Sequence, residues 1–494
     1  MNFGNGYRLK KNNLNRLRPF IIRVNTANSG FSNNDQFQFT GALGNYFVKA
    51  KQSGSLVATY TGLIGQQTIT LPSSGIYDLE VFPSTVSGLS VLRFEDSGDI
   101  LKPNKIKQFG VFNDNRNALF NGCENLSEIA NDCEHFNTIT NGNQMFQDNN
   151  LTSLPSAMTL DVLTMGFAMF FNNSLTSLPS GMTLDVLTDG VVMFFNNSLT
   201  SLPSAMSLTD LTNGRQMFQD NNLTSLPSAM TLDVLTSGFA MFFNNSLTSL
   251  PSGMVLDVLN DGSLMFWNNS LTSLPSAMTL DVLTMGFAMF FNNSLTSLPS
   301  GMTLDVLTDG SLMFWNNSLT SLPSAMTLDV LTDGQRMFRS NSLTSLPSAM
   351  ILDVLTNGAE MFQSNSLTSL PSGMVLDVLD NGRQMFQNNL LTSLPSSMTL
   401  AALTNGSFMF QNNLLTSLPN GVVLHNLTDG ERMFEGNTLD TARYSQLLID
   451  MESGNNNLNV DFHGGDSQYN SAGQIARNAL INNQNWIITD GGLI

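Results

Sequence analysis

Twelve of the sixteen prolines fall at 155, 179, 203, 227, 251, 275, 299, 323, 347, 371, 395 and 419, each preceded by Leu-Thr-Ser-Leu. The spacing is 24 residues throughout, so residues 148–435 read as 12 copies of one unit without an insertion or deletion. A constant period gives every copy the same path, and units that touch only their neighbours stack into a solenoid. The period outranks length as a guide, since 494 residues would otherwise suggest about three ordinary domains.

Counting from each proline, Leu occupies −4, −1, +5 and +8, Met occupies +14 and Phe +15 in every copy; Met also fills +3, with Val422 in the last. The first copy shows the set as Leu151, Leu154, Met158, Leu160, Leu163, Met169 and Phe170. Buried side chains of this kind stabilise by roughly 1.5–3 kcal/mol each, and stacked columns of them make a continuous core. Methionine rows are a copper motif in some proteins, but columns alternating with Leu and Phe read as core filling. Gly at +11 (Gly166, Gly190 and onward to Gly430) marks a turn with positive φ or a close approach. Asn at −6 (Asn149, Asn173 and onward to Asn413) reads as a ladder of amides bonded to backbone in its own and adjacent copies.

The Leu-Thr-Ser-Leu-Pro segment predicts a strand, twelve of which would form one parallel sheet, each ended by a proline that cannot donate to the ladder. Across +9 to +17 the positions +14 and +15 are fixed while +12, +13 and +16 vary, a grouping that predicts a short helical turn.

Function is sought where the copies differ. Position +16 reads Phe171, Phe195, Gln219, Phe243, Trp267, Phe291 and Trp315, then Arg339, Gln363, Gln387, Gln411 and Glu435. All five arginines of the repeats, Arg336 and Arg339 among them, lie at +12, +13 or +16. The six rings with Arg336 and Arg339 are therefore the candidate contact residues for a ligand or partner. Rings one copy apart suit a sugar or a protein surface. The competing reading folds the rings over the core or against another copy. The Asp column at +6 (Asp161, Asp185, Asp233 and onward to Asp377) could attract Ca²⁺, but no further oxygen ligands come at calcium-loop spacing, so no metal or other cofactor is expected.

Charge is partitioned: residues 1–147 carry a net +2, the repeats −16 and the tail from Gly436 −4, for −18 in all. Such acidity argues against nucleic-acid and anionic-membrane binding. The first 23 residues hold Arg8, Lys10, Lys11, Arg16, Arg18 and Arg23 without an acid, a candidate arm for docking on an acidic partner or a solvated terminus. Cys123 and Cys133 are the two cysteines, too few for a disulfide-built fold, with one bridge or two packed thiols left open. No apolar run long enough for a signal peptide or a membrane span occurs, which disfavours classical secretion and membrane insertion.

The flanks complete a five-part organisation: residues 1–23 as the basic arm, 24–90 as a small antiparallel β domain, 91–147 as a lead-in segment with an N-terminal cap, 148–435 as the solenoid and 436–494 as a C-terminal cap. Six alternating runs (FIIRVNT, DQFQFTG, YFVKAKQ, LVATYTG, QQTITLP and IYDLEVF) predict the strands of the β domain. Helices over Thr441 to Met451 and near Ala472 to Ile481, with strand-like NLNVDFHGG and NWIITDGG, predict an α/β cap. The fold class is thus a β-rich α/β solenoid of 12 coils, leucine-rich-repeat-like, between these flanks.

The recurring Met-Phe, about five polar residues and Leu-Thr-Ser-Leu, with ALFNGCENL in the lead-in segment, resembles the BspA-like leucine-rich repeats of bacterial surface proteins. The β region and the ending NWIITDGG also look like the flanks of such proteins. The chain departs in having Pro where that family often has Asp, and Asn where it often has Cys. The resemblance implies an adhesin-like or phage-encoded protein and brings no catalytic residues.

The expectation is a non-enzymatic protein displayed on a virion or extracellular surface, such as a phage tail fibre, contacting host glycan or surface protein. The alternatives are an architectural subunit that associates with copies of itself, a carbohydrate-active enzyme using an acid pair between coils, and an ice-binding face of Thr-Ser rows. His135, His425 and His463 lie far apart, and no nucleophile, phosphate-loop or zinc spacing supports the enzyme.

Overall fold

The computed structural model describes residues 18–40, 44–84, 93–94, 98–110 and 118–494. The chain divides into two units, Met1–Leu235 and Thr236–Ile494, a boundary that falls inside the fourth repeat.

In the first unit, alternation of β-branched and aromatic residues with polar ones builds a five-stranded antiparallel sheet of β1 (Phe20–Asn25), β3 (Asn45–Gln52), β4 (Ser55–Ile64), β6 (Ile76–Pro83) and β7 (Pro103–Gln108), in the order β4-β3-β6-β1-β7. One face buries Phe20, Ile22, Val24, Tyr46, Val48, Ala50, Tyr77, Leu79 and Val81, the every-second-residue pattern of a half-buried strand. β3 turns into β4 through Ser53 and Gly54, both at positive φ, which matches the twist of a two-residue hairpin. β2 (Gln36–Phe39) and β5 (Gln67–Thr70) pair separately, also antiparallel. All six expected strands are present. β7 is an addition from the segment read as lead-in, and its Pro103 and two lysines mask the strand pattern.

A buried ion pair ties the loop before β2 to the chain before β7. Lys102 and Asp99 lie 3.4 Å apart with fully buried side chains. The Lys102 ammonium donates to the carbonyls of Ser32, Asn33 and Gln36 at 2.9–3.0 Å, and Asp99 accepts from the Ser32 and Gln38 amides. A buried charge persists only with such a complete set of partners.

The repeats of both units share one backbone scheme. Amides at +11, +13, +15 and +17 donate to carbonyls of the following repeat; in the first repeat these are Gly166, Ala168, Phe170 and Asn172, bonding Asp189, Val191, Met193 and Phe195 at 2.8–3.0 Å. The intervening Met169 and Phe171 amides close turns onto Gly166 and Ala168. The expected helical turn is therefore absent. Every second amide leaves for a neighbour, and the residue at +13 has positive φ in every repeat, even when it is Val192, Leu264 or Arg336. An L residue in this conformation costs roughly 1–2 kcal/mol, which the regular inter-repeat bonding offsets.

The expected parallel sheet of Leu-Thr-Ser-Leu-Pro segments is also corrected. The amide of Leu151 bonds the Asn173 side chain at 3.0 Å instead of a backbone carbonyl, and proline has no amide, so the ladder never becomes continuous. Parallel pairing takes the form of single bridges at +10, Asn141–Met165–Asp189–Asn213 in the first unit and Ser237 to Asp429 in the second. Phe rings at +15 stack on those of the next repeat at 5.5–5.7 Å. Leu at −4, +5 and +8 and Met at +14 are buried, whereas Leu at −1 is only half-buried in most repeats.

The glycine column serves close approach. These glycines do not adopt positive φ; a Cβ on Gly262 would lie 2.8 Å from Met289 Sδ of the next repeat. Positive φ is carried by the residue at +13 in every repeat, by Leu at +5 from Leu160 through Leu352, and by the residue at +17, which is a glycine, Gly436, in the last repeat.

The second unit ends in two helices and two short strands. α1 (Thr441–Gly454) is capped by the Asp440 carboxylate and α2 (Ser471–Gln484) by Asn470, while β8 (Asp461–His463) and β9 (Ile487–Thr489) form a two-stranded parallel sheet. β8 receives the last repeat through Gly430 and Phe434, whose amides bond Asp461 and His463 carbonyls. Among the described residues no helix is long and apolar enough to cross a membrane.

Candidate functional site

The site is the column at +16, positioned by two neighbours in sequence. Phe at +15 is sealed in the core and the residue at +17 turns the chain with positive φ; the side chain at +16 between them is half-buried from Phe171 through Arg339.

In the first unit Phe171 stacks on Phe195 at 5.1 Å and 13°. In the second, Phe243 meets the edge of Trp267 at 5.0 Å, Trp267 tilts against Phe291 at 5.2 Å, and Phe291 stacks on Trp315 at 4.5 Å and 14°. The rings are thus neither fully exposed nor folded away. Where two rings stack face to face their faces are occupied, and the edges remain for an incoming partner. Exposed Met285 and Phe287 add apolar surface in the same repeat as Phe291.

Trp315 is also the point where the column changes character. Arg336 and Arg339 lie over its ring at 5.6 and 5.0 Å, within cation–π range. Both then converge on Glu360, joined by Arg383 at 3.2 Å. The Glu360 side chain is only 4% exposed. Burial pushes its carboxyl pKa up, but the hydrogen bond from Arg336 and the charges of Arg339, Arg336 and Arg383 outweigh that and hold it below the usual range. Beyond it, Gln363 donates to Gln387, Gln387 to Gln411 and Gln411 to Glu435, an amide chain along the same column. The polar half is internally bonded, and Gln363, Gln387 and Gln411 are buried.

The eight candidate contact residues therefore fall in two places. Phe171 and Phe195 belong to the first unit; Phe243, Trp267, Phe291, Trp315, Arg336 and Arg339 form one run in the second. Glu360 escaped the sequence reading, although it is the single acid at +13 and stands one period after Arg336. The exposed valines at +7, Val162 and then Val234 through Val378, were also passed over because they adjoin the core Leu at +8.

The other candidates resolve individually. Arg8, Lys10, Lys11 and Arg16 lie outside the described residues, and Arg18 pairs with Asp132 at 3.1 Å while staying largely exposed. Asp185, Asp305 and Asp377 accept hydroxyl hydrogen bonds from Ser207, Thr327 and Thr399 of the next repeat. Among the described residues no group of three His, Cys, Asp or Glu side chains could hold a metal ion. Cys123 and Cys133 are buried and not joined in a disulfide, and burial pushes the Cys133 thiol up to about 12.

No protein-family model and no curated protein matches this chain.

Proposed function

We propose that the chain is a non-enzymatic, adhesin-like binding protein displayed on a cell or virion surface, its repeats forming a 12-coil leucine-rich-repeat-like solenoid of the BspA type. A phage tail fibre is one setting that fits. Support for the repeat architecture comes from the hydrogen bonds that recur from one repeat to the next at the same positions in both units.

The observation that carries the binding reading is the run Phe243, Trp267, Phe291 and Trp315. Four large rings occupy the same half-buried position in successive repeats, closed at one end by the arginines on Trp315. Large aromatic side chains and arginine are the residues that most often anchor an interface. Because stacking takes up ring faces, the run suits a protein surface better than sugar rings, which need a free face; host glycan remains the second ligand class and copies of the chain the third.

Alanine and glutamine both remove ring stacking, but alanine also leaves the half-buried position unfilled. Glutamine is the better probe, since the same column already holds Gln219 and Gln363. Trp267→Gln with Trp315→Gln should lower binding to bacterial cells or to an arrayed glycan by at least about tenfold, a loss of about 1.4 kcal/mol, while the urea midpoint stays close to the parent's. Undiminished binding by the double variant would remove the column from the interface.

A further inference from the structure

We infer, on the binding reading above, that the partner is a protein segment with one or two carboxylates beside large apolar side chains. The apolar side chains lie along the rings from Phe243 to Trp315, and the carboxylates dock on Arg336, Arg339 and Arg383.

The charges of the repeats single out this place. Residues 148–435 hold 5 basic side chains against 21 acidic ones, yet three of the five gather on Glu360 within three successive repeats. Positions +12 to +17 of those repeats contain no acid besides Glu360, so three arginines less one carboxylate leave +2 on a stretch that carries −16. Asp333, at +10 nearby, is taken up by the Gln335 amide, the Ser311 hydroxyl and the Asn357 side chain. Glu360 does not use up the donors. Arg336 gives it Nε and Nη2, whereas Arg339 and Arg383 each give it Nη1 alone. The Nε and Nη2 of Arg383, the same two-donor face with which Arg336 forks Glu360, make no hydrogen bond among the described residues, and that side chain is 43% exposed. Such a face is matched to a carboxylate.

The surroundings select the class of partner. Trp315 joins the arginines to the ring run: Arg336 and Arg339 lie over it at 5.6 and 5.0 Å, and Phe291 stacks on it at 4.5 Å. An acidic sugar therefore finds no free ring face beside the arginines, whereas apolar side chains can pack against ring edges. Away from the cluster the repeats are acidic, so a polyanion such as a nucleic acid or a sulfated polysaccharide would be repelled wherever it ran past the arginines by more than a Debye length of about 8–10 Å. An acid flanked by apolar residues gains the arginines without carrying charge onto the acidic repeats.

Selection of a random twelve-residue peptide library on the immobilised full chain tests this, with the Trp267→Gln, Trp315→Gln double variant used to discard peptides that bind elsewhere. Recovered peptides should carry Asp or Glu next to large apolar residues, and changing those acids to their amides should weaken binding to the parent by about tenfold or more at low salt. On Arg383→Gln, which keeps the Arg336 fork on Glu360, the same change should cost about threefold or less, and Arg383→Lys should recover part of the difference. Peptides without an excess of acids, or an acid-to-amide loss as large on Arg383→Gln as on the parent, would overturn the inference while leaving the ring run as the interface. If no peptide tells the parent from the double variant, the binding reading itself falls and the acidic partner with it.

Discussion

Arg336 grips Glu360 of the next repeat with a two-bond fork, Nε and Nη2 each 3.0 Å from a carboxylate oxygen. The fork matters because Glu360 sits at positive φ in a buried position where a lone carboxylate would be costly. Glu360→Gln should cost about 1.5–3 kcal/mol in urea unfolding near neutral pH, the range for hydrogen bonds to a charged group. The partly exposed arginines can turn to solvent, which keeps the loss from being larger. Since the folded carboxyl titrates below its unfolded counterpart, the pair stabilises fully above about pH 4.3. Its contribution fades as pH falls through the lowered folded value. Parent and Glu360→Gln midpoints should therefore converge in acid; a constant gap would show that the carboxylate charge is not what the arginines hold.

Asn269 illustrates the amide column. Its Nδ2 donates to the Phe242 carbonyl at 2.9 Å and approaches the Phe266 carbonyl at 3.2 Å, while its Oδ1 accepts from Leu247 at 3.0 Å. Asn269→Ala should destabilise by roughly 2–4 kcal/mol, since it leaves buried backbone groups unbonded. Asn269→Asp keeps the acceptor but sets a carboxylate against carbonyl oxygens. Its deficit should shrink on acidification, when the protonated acid can donate, and a pH-independent deficit would contradict the donor role.

The parts of the fold that were legible in the sequence are those written in local pattern. β1 to β6 follow two-residue alternation, the cap helices follow Asp440 and Asn470, and the asparagine column follows from period alone. The repeat backbone was not legible, because positive φ at Val192 or Arg336 contradicts residue preference and is imposed by bonding between repeats. The glycine column left a turn or a close approach open, and the Met side chain of the next repeat, which excludes a Cβ there, decides for the close approach. At the site, the ring column was visible as a list of residues, but that the rings stack on each other, and that Glu360 gathers three arginines, emerges only when residues 24 apart become neighbours.

Close packing over the glycine column predicts a coupled pair. Gly262→Ala should cost about 1–3 kcal/mol, the usual price of overpacking, because its Cβ meets Met289 Sδ at 2.8 Å and Leu259 Cδ2 at 3.1 Å. Met289→Ala leaves a cavity and should cost about 2–5 kcal/mol alone. Combined, the two should cost at least about 0.5 kcal/mol less than their sum. Strict additivity in urea unfolding would mean that the methionine is not the group the glycine accommodates.

His135 supplies the clearest acid sensitivity. Its ring packs on Phe109 at 5.0 Å and Phe136 at 3.9 Å. Burial lowers its pKa to about 4 despite the opposing charges of Asp132 and Glu134. In the unfolded chain the ring titrates near 6.5, so as pH falls below that value the unfolded state binds the proton first. Stability is fully present above about pH 6.5 and is lost progressively down to about pH 4. Allowing for partial solvation, the loss should be roughly 1–2 kcal/mol. His135→Gln removes the titrating ring while keeping a polar side chain; it should be less stable than the parent at pH 7, with a smaller fall between pH 7 and 4. An equal fall in both proteins, followed by urea unfolding at each pH, would place the acid sensitivity elsewhere.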